Sequence, residues 1–230
     1  MRKKALIVMG VFIAFLVIQG CTSAPEKTLL KKYFNAVAMN DNDTMSSMAL
    51  EPLQPDMTSW SIVKIGTEKI EPATLPALNA AEIEAKKAQD AQIGPTIDAS
   101  TVLQDAQYEK DLARSAAGKA AAQRNIDKFQ AAYDVENGKM QALKKAYNEA
   151  KAAAAAEEEM TMFSLGQREL PVVRSLTGDV HSKEVEIAIA MKDGKTKNYN
   201  LLLKQYMLKD EANNLPHRGR WVIIKFEPLN

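Results

Sequence analysis

IDKFQAAYDVENGKMQALKKAYNEAKAAA, residues 126–154, decides how this chain is built. Ile126, Phe129, Tyr133, Met140, Leu143, Tyr147, Ala150 and Ala154 recur on alternating steps of three and four residues, and Glu136 interrupts the series at one position. That is a heptad seam sustained over about four heptads, the pattern of a helix packed lengthwise against another helix. The surrounding composition agrees. Of the 80 residues 77–156, 24 are Ala, against 34 in the whole chain, and Lys, Glu, Gln and Asp fill most of the rest. Such a mixture forms helix readily but buries little area per heptad.

Before that stretch, Leu78, Ala81, Ala85 and Ala88 keep the same rhythm. A chain that leaves a folded body near residue 77 and returns near 160 must turn back on itself. Gly118 nearly bisects the segment, so the reading is an antiparallel hairpin about 60 Å long with its tip near residues 115–120. Gly94-Pro95 is predicted to break the outgoing arm into 78–93 and 99–117, with 119–160 returning. Asn137-Gly138 is the rival turn.

Outside the hairpin the pattern changes. Leu30, Tyr33, Phe34 and Val37 form one helical stripe within residues 27–40, with Lys27, Lys31 and Lys32 turned away. Asn40-Asp41-Asn42-Asp43 marks a turn, and Asp43 is a plausible N-cap for a short helix through Met45, Met48 and Ala49. Residues 59–66 (SWSIVKIG) read as a strand. Val185, Ile187, Ile189 and Met191 alternate on one face of a second strand, and Asp193-Gly194 is a hairpin turn. Residues 197–209 return with Tyr199, Leu201, Leu203 and Met207. A polar loop with Asn213, Asn214, Pro216 and Gly219 leads to a last strand over 220–227, and residues 171–178 add a further short strand. Antiparallel connections beside segregated helices make the class α+β, a curved antiparallel sheet packed on N-terminal helices with the coiled-coil hairpin inserted.

The first residues set the location. Arg2, Lys3 and Lys4 precede an uncharged run over residues 5–20, about 24 Å as helix and too short for a stable span. Ile18-Gln19-Gly20-Cys21 resembles the lipobox of bacterial lipoproteins, with polar Gln19 where a small or aliphatic residue is usual. The resemblance implies cleavage between Gly20 and Cys21, lipidation of the Cys21 thiol and acylation of the new N-terminus. It implies anchoring by several chains, which hold stably where one is marginal. Thr22-Ser23 carries no Asp after the cysteine, which resembles outer-membrane rather than inner-membrane lipoproteins. The domain reading is then 1–20 signal peptide, 21–26 lipidated tether, 27–76 with 161–230 the α+β body, and 77–160 the insertion. Loss of residues 1–20 removes three positive charges and no negative one, so 30 basic against 29 acidic residues becomes 27 against 29. That balance gives no field for nucleic acid.

A second resemblance covers about residues 27–66 and 167–230. LLKKYFNAVAMNDNDTMSSM, and the ending VEIAIAMKDGKTKNYNLLLKQYML with Gly219, Trp221 and Ile223, are similar to nuclear transport factor 2-like (cone-fold) domains. These hold isomerases, dehydratases, small-molecule binders and inactive envelope modules, so fold alone does not choose among them. Trp60, Tyr199, Tyr206 and Trp221 would be the pocket lining of such a cone, or plain core. No position matches a catalytic base, and Asp41 and Asp43 are better read as caps. Gly194-Lys195-Thr196 lacks the glycine of a phosphate loop, since residue 189 is Ile. Asp41-Asn42-Asp43 continues wrongly for a calcium loop. His181 and His217 read as separate surface-loop residues. No metal, cofactor or catalytic residue is assigned. The reading is a non-enzymatic envelope lipoprotein that is structural or binds a partner through the hairpin. The alternative is a cone-fold binder or isomerase-like domain for a small apolar ligand.

Overall fold

The computed structural model describes residues 24–167 and 169–229, so the signal segment, Gly20 and Cys21 lie outside the described residues. The protein is α+β. Its helices are α1 (Pro25–Met39), α2 (Asn42–Met48), α3 (Leu75–Leu112) and α4 (Ala116–Leu165). Its strands are β1 (Met57–Ile65), β2 (Lys69–Pro72), β3 (Thr177–Met191), β4 (Thr196–Asp210), β5 (Leu215–Arg218) and β6 (Val222–Leu229). They form one antiparallel, curled sheet in the order β1-β3-β4-β5, with β2 also on β3 and β6 also on β4. The chain divides into two compact units, 24–71 with 180–206 and 219–229, and 72–179 with 207–218.

The first unit is a helix pair on a sheet. Pro25 opens α1 with its φ already set for helix, and Asn40 closes it in the left-handed region at φ 53°. The stripe Leu30, Tyr33, Phe34 and Val37 is fully or almost fully buried. It meets Val185, Ile187 and Ile189 of β3, Leu201 and Leu203 of β4 and Ile223 of β6. α2 is capped by Asp41, not Asp43. Its Oδ1 accepts from the Thr44 N–H at 3.0 Å and its Oδ2 from the Thr44 hydroxyl at 2.6 Å. Asp41 reaches Thr44 from just outside the helix, whereas Asp43 already lies within it.

Register fixes which side chains face the helices. Trp60 pairs with Ile189, Ile62 with Ile187 and Ile65 with Val185. Shifts between Met57 and Ser59 and between Ile62 and Lys64 interrupt the β1–β3 ladder, as bulges that curl a sheet do. Burial along β4 changes phase. Leu201 and Leu203 are buried, then Tyr206 and Leu208, so Met207 does not share the face of Leu201 as simple alternation predicts. The last strand starts at Val222, two residues later than predicted. Lys69–Pro72 and Leu215–Arg218 are strands where the pattern shows none, the latter within the predicted polar loop. Both are only four residues long, too short for alternation to register. In place of a strand over 171–178 there is a 3₁₀ turn, Val173–Ser175, and β3 begins at Thr177.

The second unit holds the helical hairpin. α3 has 38 residues and α4 has 50, about 57 Å and 75 Å of helix. Their directions oppose, since Lys110 bonds Gln123 while Gln92 bonds Glu136. The turn is Ala113-Arg114-Ser115, just before the predicted tip. Ser115 caps α4 by accepting from the Gly118 N–H at 3.0 Å, so Gly118 lies in the first turn of the helix rather than at the bend. Asn137-Gly138 is interior to α4.

α3 also runs unbroken through Gly94-Pro95, contrary to the predicted break. A proline inside a helix costs about 3 kcal/mol. Here the adjacent turn is tied by other groups. The Thr96 hydroxyl donates to the Gln92 carbonyl at 2.9 Å, and the Gln92 amide donates to the Glu136 carboxylate at 2.6 Å.

Candidate functional site

Of the four residues that the sequence offers as pocket lining, three pack against one core cluster and Tyr206 is buried outside it. Trp60 stacks on Phe34 with ring centroids 4.6 Å apart. Trp60, Tyr199 and Trp221 are partly buried and pack on the core. Tyr206 is fully buried and its hydroxyl accepts from Lys204 at 3.5 Å. Trp221 lines a surface groove with Leu29, Met48 and Arg220. The face of the sheet toward α1 and α2 is occupied by side chains from both layers. Tyr33 is fully buried, its hydroxyl donating to the Leu53 carbonyl and accepting from the Leu53 N–H, both at 2.7 Å. Burial pushes its pKa up to about 12, against the lowering effect of the Leu53 backbone.

Polar chemistry gathers instead at the start of α1. Glu26, only 4% exposed, lies 3.3 Å from the Lys183 ammonium. Lys183 also pairs with Glu68 at 3.0 Å, and Glu68 pairs with His181 Nδ1 at 2.5 Å. The Lys183 ammonium sits 5.3 Å from the centre of the Trp221 ring. His181 lies on β3 and His217 on β5, so neither is a loop residue as predicted. Hydrogen bonds from His181 and then Lys183 hold the Glu68 carboxyl below its ordinary range. Burial pushes the Lys183 ammonium down, but its bonds to Glu68 and Glu26 outweigh this and raise it. The chain Glu26–Lys183–Glu68–His181 fastens the first turn of α1 to the sheet. Among the described residues, no group of three or more His, Cys, Asp or Glu is arranged to hold a metal ion.

The hairpin has its own geometry. On α4 Ala122, Ile126, Phe129, Tyr133, Glu136, Met140, Leu143, Tyr147, Ala150 and Ala154 are buried or half-buried in an unbroken run of four- and three-residue steps, with Gln123, Gln130 and Asn137 half-buried beside it. The heptad series thus includes Glu136. Its carboxylate accepts from Lys139 at 2.7 Å and from Gln92, and these bonds, Lys139 first, lower its pKa.

On α3 the matching series is Glu82, Ala85, Gln89, Gln92, Thr96, Ala99, Leu103 and Ala106. Ala81 and Ala88, predicted in the seam, are exposed. The larger apolar residues of α3 lie elsewhere: Ile83, Ile93, Ile97, Val102, Tyr108 and Leu112 are all exposed. Sequence reasoning missed this because it followed the alanines. The signal present is that the isoleucines fall out of phase with the seam.

The hairpin is closed near its base by Arg174, in the 3₁₀ turn. Its guanidinium meets Glu82 of α3 at 2.7 Å and Glu158 of α4 at 2.8 Å, and it reaches the Asn79 side chain at 3.3 Å. Bonds to Glu158 and then Glu82 raise the Arg174 pKa further. One cation thereby ties both arms together.

These features define an α+β protein with a clamped helical hairpin. No family model matches the chain, and no curated protein matches it.

Proposed function

We propose that this is a non-enzymatic lipoprotein of the bacterial envelope, held in the membrane through Cys21, that binds a protein partner with its helical hairpin. The observation that carries the reading is the exposed apolar series on α3: Ile83, Ile93, Ile97, Tyr108 and Leu112 face solvent while Gln89, Gln92 and Thr96 face α4. A helix that serves only as a spacer gains nothing from large apolar groups in water. The body supports the same reading, because side chains pack the face of the sheet that a cone-fold enzyme would leave open for a substrate. The resemblance of residues 18–21 to a lipobox supports the anchor, and the cone-fold resemblance stays part of the proposal for the body. The described part of α1 begins four residues after Cys21, so the ion-paired first turn of α1 would stand close to the lipid.

The test places a photo-crosslinking amino acid in the full chain, at Ile97 or Tyr108 of α3 and, for comparison, at Val63 or Leu229 of the body. Adducts with protein should form from the α3 positions and not from the body positions. Adducts from the body alone would overturn the hairpin reading. Recovery of a Cys21→Ser chain with its signal uncleaved and without incorporated fatty acid completes the test of the anchor.

A further inference from the structure

The outward face of α1 is basic. At about 100° per residue, Lys27, Lys31, Asn35, Thr28 and Lys32 fall within about 140° of one another, and all are exposed. None of the three lysines is ion-paired to a described residue. The acids around them are engaged or distant. Glu26, the one acid of α1, is buried and paired with Lys183. Glu68 is held by Lys183 and His181. Asp41 and Asp43 lie past the other end of α1, about 12 Å or more along its axis from Lys32. Glu51 follows the parallel bridge of Ala49 to Ile223 in the direction of Lys225, away from Trp221. Beside the lysines runs a groove lined by Leu29, Met48 and Trp221, with Lys32 and Arg220 among its walls. The Lys183 ammonium, 5.3 Å from the centre of the Trp221 ring, sets this groove at the same end of the body as Glu26.

We infer that this end of the body, the lysine face of α1 with the Trp221 groove, docks on the anionic phospholipid headgroups of the membrane that holds the Cys21 anchor. This rests on the proposed anchor and specifies which surface of the body meets the lipid. Reach and charge select the occupant. Pro25 follows Cys21 by four positions, about 14 Å of chain at full extension, so a lipidated Cys21 keeps the start of α1 at the headgroups. Each lysine near an anionic surface strengthens binding about fivefold, and three together roughly 100-fold. A tryptophan with an apolar ring and a polar N–H suits the level of the headgroups. The acyl chains hold the protein in the bilayer, and the lysines set the face that the body turns to it.

The test uses the full chain, expressed from its own signal, extracted and reconstituted into vesicles. One set is phosphatidylcholine alone and the other contains about one third phosphatidylglycerol. A neutral acylating reagent modifies exposed lysines, and mass spectrometry reads the rate at each. Lys192 and Lys195, both exposed in the turn after β3, are the references. Lys192 stands nine positions along the chain from Lys183, about 30 Å of strand. Lys27, Lys31 and Lys32 should react at least about threefold more slowly in the anionic vesicles than in phosphatidylcholine, and the references equally in both. Salt at about 0.5 M should remove the difference. Lys27→Gln with Lys31→Gln weakens docking roughly 25-fold, so Lys32 should lose its protection. Equal rates in the two vesicles, or protection of Lys32 that survives the double substitution, overturn the inference. So does protection that appears only when other membrane proteins are present. Intact mass separates this result from the anchor. Fatty acid on Cys21 without lysine protection overturns the inference and leaves the anchor standing, and protection without fatty acid does the reverse.

Discussion

Replacing Arg174 with Ala should open the base of the hairpin. Arg174 meets Glu82 and Glu158 at 2.7 and 2.8 Å, and the carboxylates belong to opposite arms. Charge-assisted hydrogen bonds contribute about 1.5–3 kcal/mol each in protected sites. A third of the Arg174 side chain reaches solvent, which screens both pairs. A contribution of about 1 kcal/mol for each arm, about 2 kcal/mol together, follows. That is a roughly 30-fold change in an opening equilibrium. Hydrogen exchange at the amides of residues 79–85 and 154–161 reads it directly, with the amides of Ile187 and Leu201 as reference. Combined with Glu82→Ala in a double-mutant cycle, the coupling should be about 1 kcal/mol and should fall with added salt. A change of less than about twofold at the hairpin base, or a coupling near zero, would refute the clamp.

Two further outcomes follow from particular contacts. Gly178 has φ +135°, and a Cβ there would stand 2.3 Å from the Met207 carbonyl oxygen, so Gly178→Ala should lower stability by about 3 kcal/mol or more in a denaturant titration. Glu68 is held below the ordinary glutamate value of 4.5, so its contribution is complete above that value and disappears as pH falls through its lower folded value. The wild-type chain should therefore lose more stability between pH 7 and acid than Glu68→Gln does, measured as the shift of the denaturation midpoint.

The parts most legible in the sequence are those where large apolar side chains repeat on one face. Leu30, Tyr33, Phe34 and Val37 mark the buried side of α1, and Ile126 through Ala154 mark the seam of α4, because only those positions offer area to bury. α3 is harder to read for the same physical reason. Alanine is the best helix former and suits either face, so Ala81 and Ala88 are as comfortable in water as Ala85 is in the seam. Pro95 is a fair sign of a break, since the groups that tie the turn beside it, Thr96 to the Gln92 carbonyl and Gln92 to Glu136 of the opposite arm, form no pattern in the sequence. The link of Glu26 to Lys183 spans 157 positions of sequence. No local pattern encodes such a pairing, so the ion-paired cluster is invisible in the sequence. The outward isoleucines are not: Ile83 and Ile97 stand 14 residues apart, two full heptads, in a phase of their own across the helix from the seam.

The most direct measurement shortens the arm and leaves everything else. Gln92 and Glu136 face one another across the hairpin, so residues 93–135 can be replaced by a short glycine-containing turn with the Arg174 clamp intact. With the photo-crosslinking amino acid at Ile83, which both the parent and the shortened chain keep, the account predicts that the shortened chain reaches the membrane, unfolds cooperatively with the stability of the parent body and loses the protein adduct that the parent forms from Ile83. Retention of the adducts by the shortened chain would contradict it.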